Sequence, residues 1–295
     1  LKAGIHIDIC GFMIEKQSNL VKMRLAAVVI LYNPDGNLLS NIHSYINDVE
    51  FLIVFDNSEK NDAKILLEKE TKIRYHWDGA NQGIAKRLNQ AIEICIQEKI
   101  DFLLTMDQDS SFKKGDFSTY LNKINNCNVE NAGMYGVIHH PKFFKPSNLE
   151  YAINKLLITS GSILPLNVTE KVGKFNESLF IDMVDTEYCL RLFQQNFKTI
   201  LFENLILQHE IGVAVKTFTP RLKREERKVH SSKRIYYIVR NFLFLRKHYA
   251  DQSNHLDYTP ILNEIKNGIL YGNEKLRFII EIWRGYADFK NKKMT

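Results

Sequence analysis

Four short apolar runs, each cut off by a polar group, constrain this chain more than any other feature of its sequence. They are Leu25–Tyr32 (LAAVVILY), Phe51–Phe55 (FLIVF), the weaker Lys72–Trp77, and Phe102–Met106 (FLLTM). Asn33-Pro34-Asp35-Gly36, Asp56-Asn57-Ser58, Asp78-Gly79 and Asp107 stop them in turn. Apolar runs without polar alternation are what strands covered on both faces look like, as in a parallel sheet. Between them apolar residues return at helical spacing, as Ile84, Leu88, Ala91, Ile92 and Cys95 do within 83–98. The alternation predicts an α/β, doubly wound fold. Ligands of such sheets sit outside the carboxyl ends of the strands. Here those ends carry Asn33, Asp56 and Asp107, so separate strands deliver polar groups to one edge.

The middle of the chain has a different texture. Met134–Ile138, Leu156–Thr159, Thr199–Phe202 and Leu205–Gln208 surround a helical stretch near 185–195, which predicts mixed strands added to the sheet. After Gly212 the chain turns basic and then helical. Ile235, Ile238, Val239, Phe242 and Leu245 form one stripe; Ile265, Ile269, Leu276, Ile279, Ile280 and Trp283 form another. Residues 1–22 read as a leader rather than a signal peptide, since Asp8 interrupts the weakly apolar start and no cleavage site follows.

Composition narrows the class. With 295 residues, 45% hydrophobic and 25% charged, disordered and fibrous architectures are out. No apolar run reaches the roughly 18–20 residues of a bilayer-spanning helix. Cys10, Cys95, Cys127 and Cys189 are scattered, which fits a reducing compartment better than a disulfide framework. The net charge of +6 is uneven: residues 216–250 carry +9 and the rest −3. A basic segment on a mildly acidic body suggests an anionic partner: lipid surface, phosphorylated substrate or nucleic acid. Nucleic-acid binding needs base-reading groups on the same face, but the aromatics of this segment sit mainly on its apolar stripe. No nucleic acid is therefore expected.

Tyr32-Asn33-Pro34-Asp35-Gly36 replaces the G-x-G-x-x-G of a dinucleotide-binding protein, and no P-loop is present. Asp107-Gln108-Asp109 is the most suggestive short motif. Two carboxylates at the end of a buried strand suit Mg²⁺ or Mn²⁺, which take one or two carboxylates plus substrate phosphates. The second cluster is Phe180–Arg191 (FIDMVDTEYCLR), with three acids in six residues, Asp182, Asp185 and Glu187. Asp185 could cap the following helix, and Glu187 could pair with Arg191 at i,i+4. A carboxylate beside an acceptor hydroxyl could instead act as a general base. His139-His140 and His230 are read as surface residues, and Lys86 as either a phosphate contact or a solvated position.

The ordered series LYNPD (31–35), FDNS (55–58), NQGIAKRLNQAI (81–92), MDQDS (106–110), FIDMVDTEYCLR (180–191) and QHEIG (208–212) resembles family-2 glycosyltransferases with a GT-A fold, most of all bacterial rhamnosyltransferases. The likeness spans about residues 24–245. It implies a nucleotide-sugar-binding and catalytic GT-A domain over 23–215 and a basic, helical C-terminal extension over 216–295. It implies that Tyr32, Asn33, Asp56, Asn81, Gly83, Arg87 and Asp107 border the nucleotide, with Asp56 on the base and Asp107 near the ribose. Asp109 and His209 would hold Mn²⁺ or Mg²⁺. Alignment on Arg191 places the catalytic base at Asp185, with Asp182, Glu187 and Arg191 on the acceptor side or supporting it.

The resulting expectation is an inverting transferase moving a sugar, rhamnose by resemblance, from a dTDP- or UDP-linked donor to a glycan or lipid-linked acceptor in cell-surface polysaccharide synthesis. It would be cytoplasmic and peripheral at the inner membrane face, where the basic segment meets anionic lipid. The rival is a catalytically inert nucleotide- or carbohydrate-binding protein that keeps the fold and needs no base at Asp185.

Overall fold

The computed structural model describes residues 23–139, 150–209, 214–218, 224–228, 231–257, 259–271 and 274–291; the expected leader lies outside them. The four apolar runs become β1 (Leu25–Leu31), β2 (Leu52–Asp56), β3 (Ile73–Trp77) and β4 (Phe102–Asp107). Three helices fall between these strands: α1 (Leu38–His43), α2 (Ala63–Leu67) and α3 (Ile84–Gln97). Then come β5 (Ser110–Ser111), α4 (Asp116–Asn125), β6 (Ala132–Ile138), β7 (Ala152–Ile153) and β8 (Ser162–Pro165). They are followed by α5 (Leu166–Val172), α6 (Val184–Gln194), β9 (Lys198–Ile206) and β10 (Gln208–His209). β11 (Ala214–Phe218), β12 (Arg224–Lys228), α7 (Ser232–His248), α8 (Thr259–Tyr271) and α9 (Lys275–Lys290) complete the described elements.

Eight strands form one sheet in the order β3-β2-β1-β4-β8-β6-β9-β7. β3, β2, β1 and β4 run parallel; β8 is antiparallel to both β4 and β6, and β9 returns parallel to β6. Both faces are covered. Ala26 and Val28 pack with Leu88 of α3 and Leu190 of α6, whereas Ala27, Val29 and Leu31 pack with Leu38 of α1 and Phe117 of α4. Successive strand residues point to opposite faces, so this two-sided core explains why the strands read as unbroken apolar runs.

One expectation fails here. Leu156–Thr159 is not a strand; the chain pairs through β7 and β8 on either side of it. Within the basic stretch, ahead of the helices, β11 and β12 pair antiparallel as a two-stranded ribbon. Beyond the ribbon the apolar stripe of α7 is buried against α8 and α9, with Ile235, Ile238, Val239 and Phe242 meeting Ile261 and Phe278. Gly285 makes the α7–α9 approach possible, since a Cβ there would lie 2.7 Å from the Tyr236 carbonyl oxygen. The second predicted stripe divides. Ile265 and Ile269 pack on this cluster, but Leu276, Ile279, Ile280 and Trp283 are exposed on α9.

Candidate active site

The parallel register sets the edge. Asp56 is level with Leu31, and Asp107 with Ile30, so the ends of β2 and β4 flank the end of β1. The loops beyond are tied to one another. The Gln108 side chain accepts from the Tyr32 N–H (2.8 Å) and donates to the Tyr32 carbonyl (3.2 Å), and the Asn33 N–H donates to Ser58 Oγ (2.7 Å). Tyr32 and Asn33 are exposed at this edge. Asp56, by contrast, is fully buried: one oxygen accepts from the Ser58 N–H (2.9 Å) and the other from the Tyr75 hydroxyl (2.6 Å). The base contact that resemblance implies for Asp56 finds no open surface on its side chain.

The start of α3 borders the same edge. Asn81 Oδ1 accepts from the Gly83 N–H (3.0 Å), and Gly83 has φ +78°. A Cβ on Gly83 would lie 2.6 Å from the Phe180 ring and 2.7 Å from its carbonyl oxygen. The protein atoms nearest to this position belong to Phe180. Phe180 O in turn accepts from the Ile84 N–H (2.7 Å) at the open end of α3. Arg87 is buried and fully engaged, donating to Asn57 Oδ1 (2.8 Å), Gln90 Oε1 (3.0 Å) and Asp78 Oδ1 (2.7 Å). It ties the loops after β2 and β3 to the start of α3, while Lys86 is exposed.

The D-x-D pair occupies the turn from β4 into β5. Antiparallel pairing sets His209 of β10 opposite Ser110, the residue after Asp109. That pairing brings a histidine backbone beside the two carboxylates; the His209 side chain lies outside the described residues. Among the described residues no group of three metal-ligating side chains occurs. Two carboxylates and a histidine form a donor set suited to Mn²⁺, and the oxygen part of it to Mg²⁺.

Asp185 does not cap α6. Met183 holds the cap position with φ +63°, and Asp185 lies in the first turn, its Oδ1 accepting from the Thr186 N–H (2.7 Å). Burial raises its pKa above the usual carboxylate range; the Thr186 and Thr159 N–H groups pull it back, and the charge of Asp182 pushes it further up. A carboxylate with a raised pKa is a better proton acceptor once ionised. Just after the segment expected to be a strand, Ser160 Oγ accepts from the Asp107 N–H (3.1 Å) and donates to Ser110 Oγ (2.9 Å), tying that segment to the D-x-D turn.

The other members of the acidic cluster support it. Asp182, at φ +61°, is paired with Arg234 of α7 at 2.8–3.1 Å. Burial works against the charged Arg234 guanidinium, but Asp182, Asp107 and Glu264 together raise its pKa. The expected Glu187–Arg191 pair forms (2.9 Å). Glu187 is buried and also accepts from the Tyr249 hydroxyl (2.6 Å), and Arg191 reaches the Val172 and Gly173 carbonyls at the end of α5. Both residues anchor α6.

Sequence reasoning missed several participants. Arg240, counted there as a surface charge, is 1% exposed and donates to the Ser178 carbonyl. Asn241 Nδ2 lies 2.8, 2.8 and 2.9 Å from the carbonyls of Leu179, Ile181 and Asp182. Together they hold the loop that carries Phe180 and Asp182. The available signal was two polar residues between Val239 and Phe242 in an apolar stripe. His139, read as a surface residue, places its ring nitrogen 2.7 Å from the Ser160 carbonyl under the D-x-D turn. His140 and His230 lie outside the described residues.

A mostly parallel sheet with this acidic edge and with helices on both faces is the GT-A architecture of glycosyltransferases. Residues 26–168 match the family model of glycosyl transferase family 2. The chain carries that domain and is a glycosyltransferase. Over 251 residues it is 29% identical to dTDP-rhamnosyl transferase RfbF of Shigella flexneri, an alignment covering 76% of this chain and 80% of that protein. The fold is shared with S. aureus TarS 1-349 in complex with UDP-GlcNAc, at TM-score 0.54 and 14% identity over 92% of this chain and 83% of that one. It is also shared with GalNAc-T7 with UDP, GalNAc and Mn²⁺, at TM-score 0.57 and 11% identity over 92% of this chain. The chain spans 56% of the GalNAc-T7 chain and 44% of a longer TarS chain.

Proposed function

We propose that this protein is an inverting transferase that moves a sugar from a nucleotide-diphosphate donor to a hydroxyl of a glycan or lipid-linked acceptor in cell-surface polysaccharide synthesis. The likeness to a dTDP-rhamnosyl transferase favours rhamnose and dTDP; the UDP complexes of structural neighbours keep UDP as the second donor class. The observation that carries the reading is the polar sheet edge, where Asp107 at the end of β4 is level with Ile30 of β1 and leads into the D-x-D turn held by Ser160. Asp185, whose pKa burial raises, supplies a carboxylate in the first turn of α6.

In this reading Tyr32, Asn33, Asn81 and Asp107 border the nucleotide. Asp185 takes the proton of the acceptor hydroxyl as that oxygen attacks the anomeric carbon, so one displacement inverts the centre without an enzyme-bound sugar. Asp182, paired with Arg234, keeps a second charge beside Asp185 and holds its proton affinity up. Asp109 and His209 are the residues that would hold Mn²⁺ or Mg²⁺, which when bound neutralises charge on the departing diphosphate. The excess of cations over residues 216–250 supports a position at the inner face of the cytoplasmic membrane.

A panel of nucleotide sugars, screened for thermal protection and hydrolysis with Mn²⁺, Mg²⁺ or excess chelator, tests this. One thymidine- or uridine-linked donor should protect and turn over, and chelator should suppress turnover. Indifference to every donor would overturn the reading, and full activity in chelator would remove its metal.

A further inference from the structure

We infer that the outer face of α9 is a docking surface for an anionic lipid bilayer. The inference deepens the membrane part of the proposed function and rests on it for its biological sense, but it relocates the contact. α7 was the sequence-based choice, yet its apolar stripe is buried, Arg240 is buried and Arg234 is paired with Asp182.

At 3.6 residues per turn, Leu276, Ile280, Trp283 and Ala287 fall within an arc of about 60°. Leu276 is 74% exposed and Trp283 66%, and Ile279 and Tyr286 extend the patch on one side. Phe278 and Gly285, on the opposite side, face the body. The helix is therefore apolar twice over, and among the described residues only the inner stripe is packed on the body.

Charge is sorted around the outer stripe. Arg277 and Arg284 border it on one side, paired with Glu274 (3.3 Å) and Glu281 (2.8 Å); Lys275 borders it on the other and Lys290 stands at its end, both exposed. The acids lie outside the strip. Glu281 is buried, Asp288 accepts from the Tyr236 hydroxyl (2.9 Å), and the exposed Glu274 accepts from Ser232 Oγ (2.9 Å). Lys247 of α7 comes over the Phe289 ring (5.9 Å), bringing a further cation to the same end of α9. An apolar strip with Trp and Tyr, with no acid inside its own arc and with Lys275, Lys290 and Lys247 around it, is the composition of a helix lying in a bilayer interface. A second copy fits less well, because a two-fold contact would bring like-charged rims together. No described helix is long and apolar enough to cross the membrane, so the contact is peripheral.

The test is co-sedimentation of the full chain with vesicles of phosphatidylcholine alone or mixed with phosphatidylglycerol, at low and high salt. Donor hydrolysis is measured on the same preparations without vesicles. The parent should favour anionic over neutral vesicles by about tenfold or more at low salt and be released at high salt. Ile280→Ser combined with Trp283→Ser should lower anionic binding about tenfold while leaving melting temperature and hydrolysis unchanged. Lys275→Gln with Lys290→Gln should weaken the anionic preference severalfold. Equal binding to both vesicle types, or a serine variant that binds like the parent, overturns the inference. So does a serine variant that only dissociates a dimer, which would assign the face to a second copy. Absent hydrolysis in every preparation, with vesicle binding as predicted, would overturn the catalytic reading and leave the docking surface standing.

Discussion

Asn241→Leu removes the clamp on the 178–182 loop at nearly constant volume. Asn241 is wholly buried, and its two N–H hydrogens serve the carbonyls of Leu179, Ile181 and Asp182 at 2.8–2.9 Å. Its Oδ1 accepts from Arg240 Nε (3.1 Å) and Nη2 (2.9 Å). Leucine would strand two or more carbonyls and take an acceptor from a buried guanidinium. At about 1–3 kcal/mol for each group left unsatisfied, the loss of stability should be about 3–5 kcal/mol. That is a large part of a typical domain's stability of roughly 5–15 kcal/mol, yet it leaves folded protein at low temperature. Equilibrium urea denaturation reads the stability, and donor hydrolysis at 10 °C reads the site. Turnover should fall with stability, because Asp182 and the start of α6 are held by the same bonds. An Asn241→Leu protein with an unchanged urea midpoint and full turnover would refute the claim that α7 organises the site.

Three further outcomes follow from named contacts. Gly83→Ala should cost about 2–3 kcal/mol, since a side chain at φ +78° is strained and its Cβ meets Phe180 at 2.6 Å; thermal unfolding checks it. Asp109→Ala should nearly abolish transfer while leaving the melting curve unchanged, and retained transfer at saturating metal would contradict its assigned role. The third concerns pH. Asp185 must be ionised to accept a proton, so activity should fall as pH drops through its raised pKa. Arg234→Met leaves the Asp182 charge unopposed, raises that pKa and moves the acid limb of kcat to higher pH. Asp182→Asn removes the charge and moves the limb lower. Identical limbs in both variants would show that Asp182 does not act on Asp185.

The sheet edge was legible because strands buried on both faces have no reason to alternate, so β1, β2 and β4 stand out together with the groups that end them. α3 was legible from its single stripe. Long-range polar satisfaction was not. Asn241 is bonded to carbonyls 59–62 residues away, and its one local signal, a place between Val239 and Phe242, does not say what it bonds. Leu156–Thr159 is apolar enough for a strand, but its backbone turns to serve Thr105, whose hydroxyl donates to the Thr159 carbonyl, and the next residue, Ser160, serves the D-x-D turn with its side chain. α9 carries apolar residues on two sides, so periodicity marks a helix without telling which side faces the body; Gly285 and its fit to α7 decide it.

The central claim is that Asp185 is the base of the transfer reaction. Asp185→Asn keeps shape and most hydrogen bonds while removing the proton acceptor. Turnover of the protecting donor with an accepted sugar acceptor should fall by about a hundredfold or more, within the ~10²–10⁴ of general-base removal, with donor affinity by thermal protection nearly unchanged. A harmless Asp185→Asn beside a crippling Asp182→Asn would contradict the account and place the base one helical turn earlier.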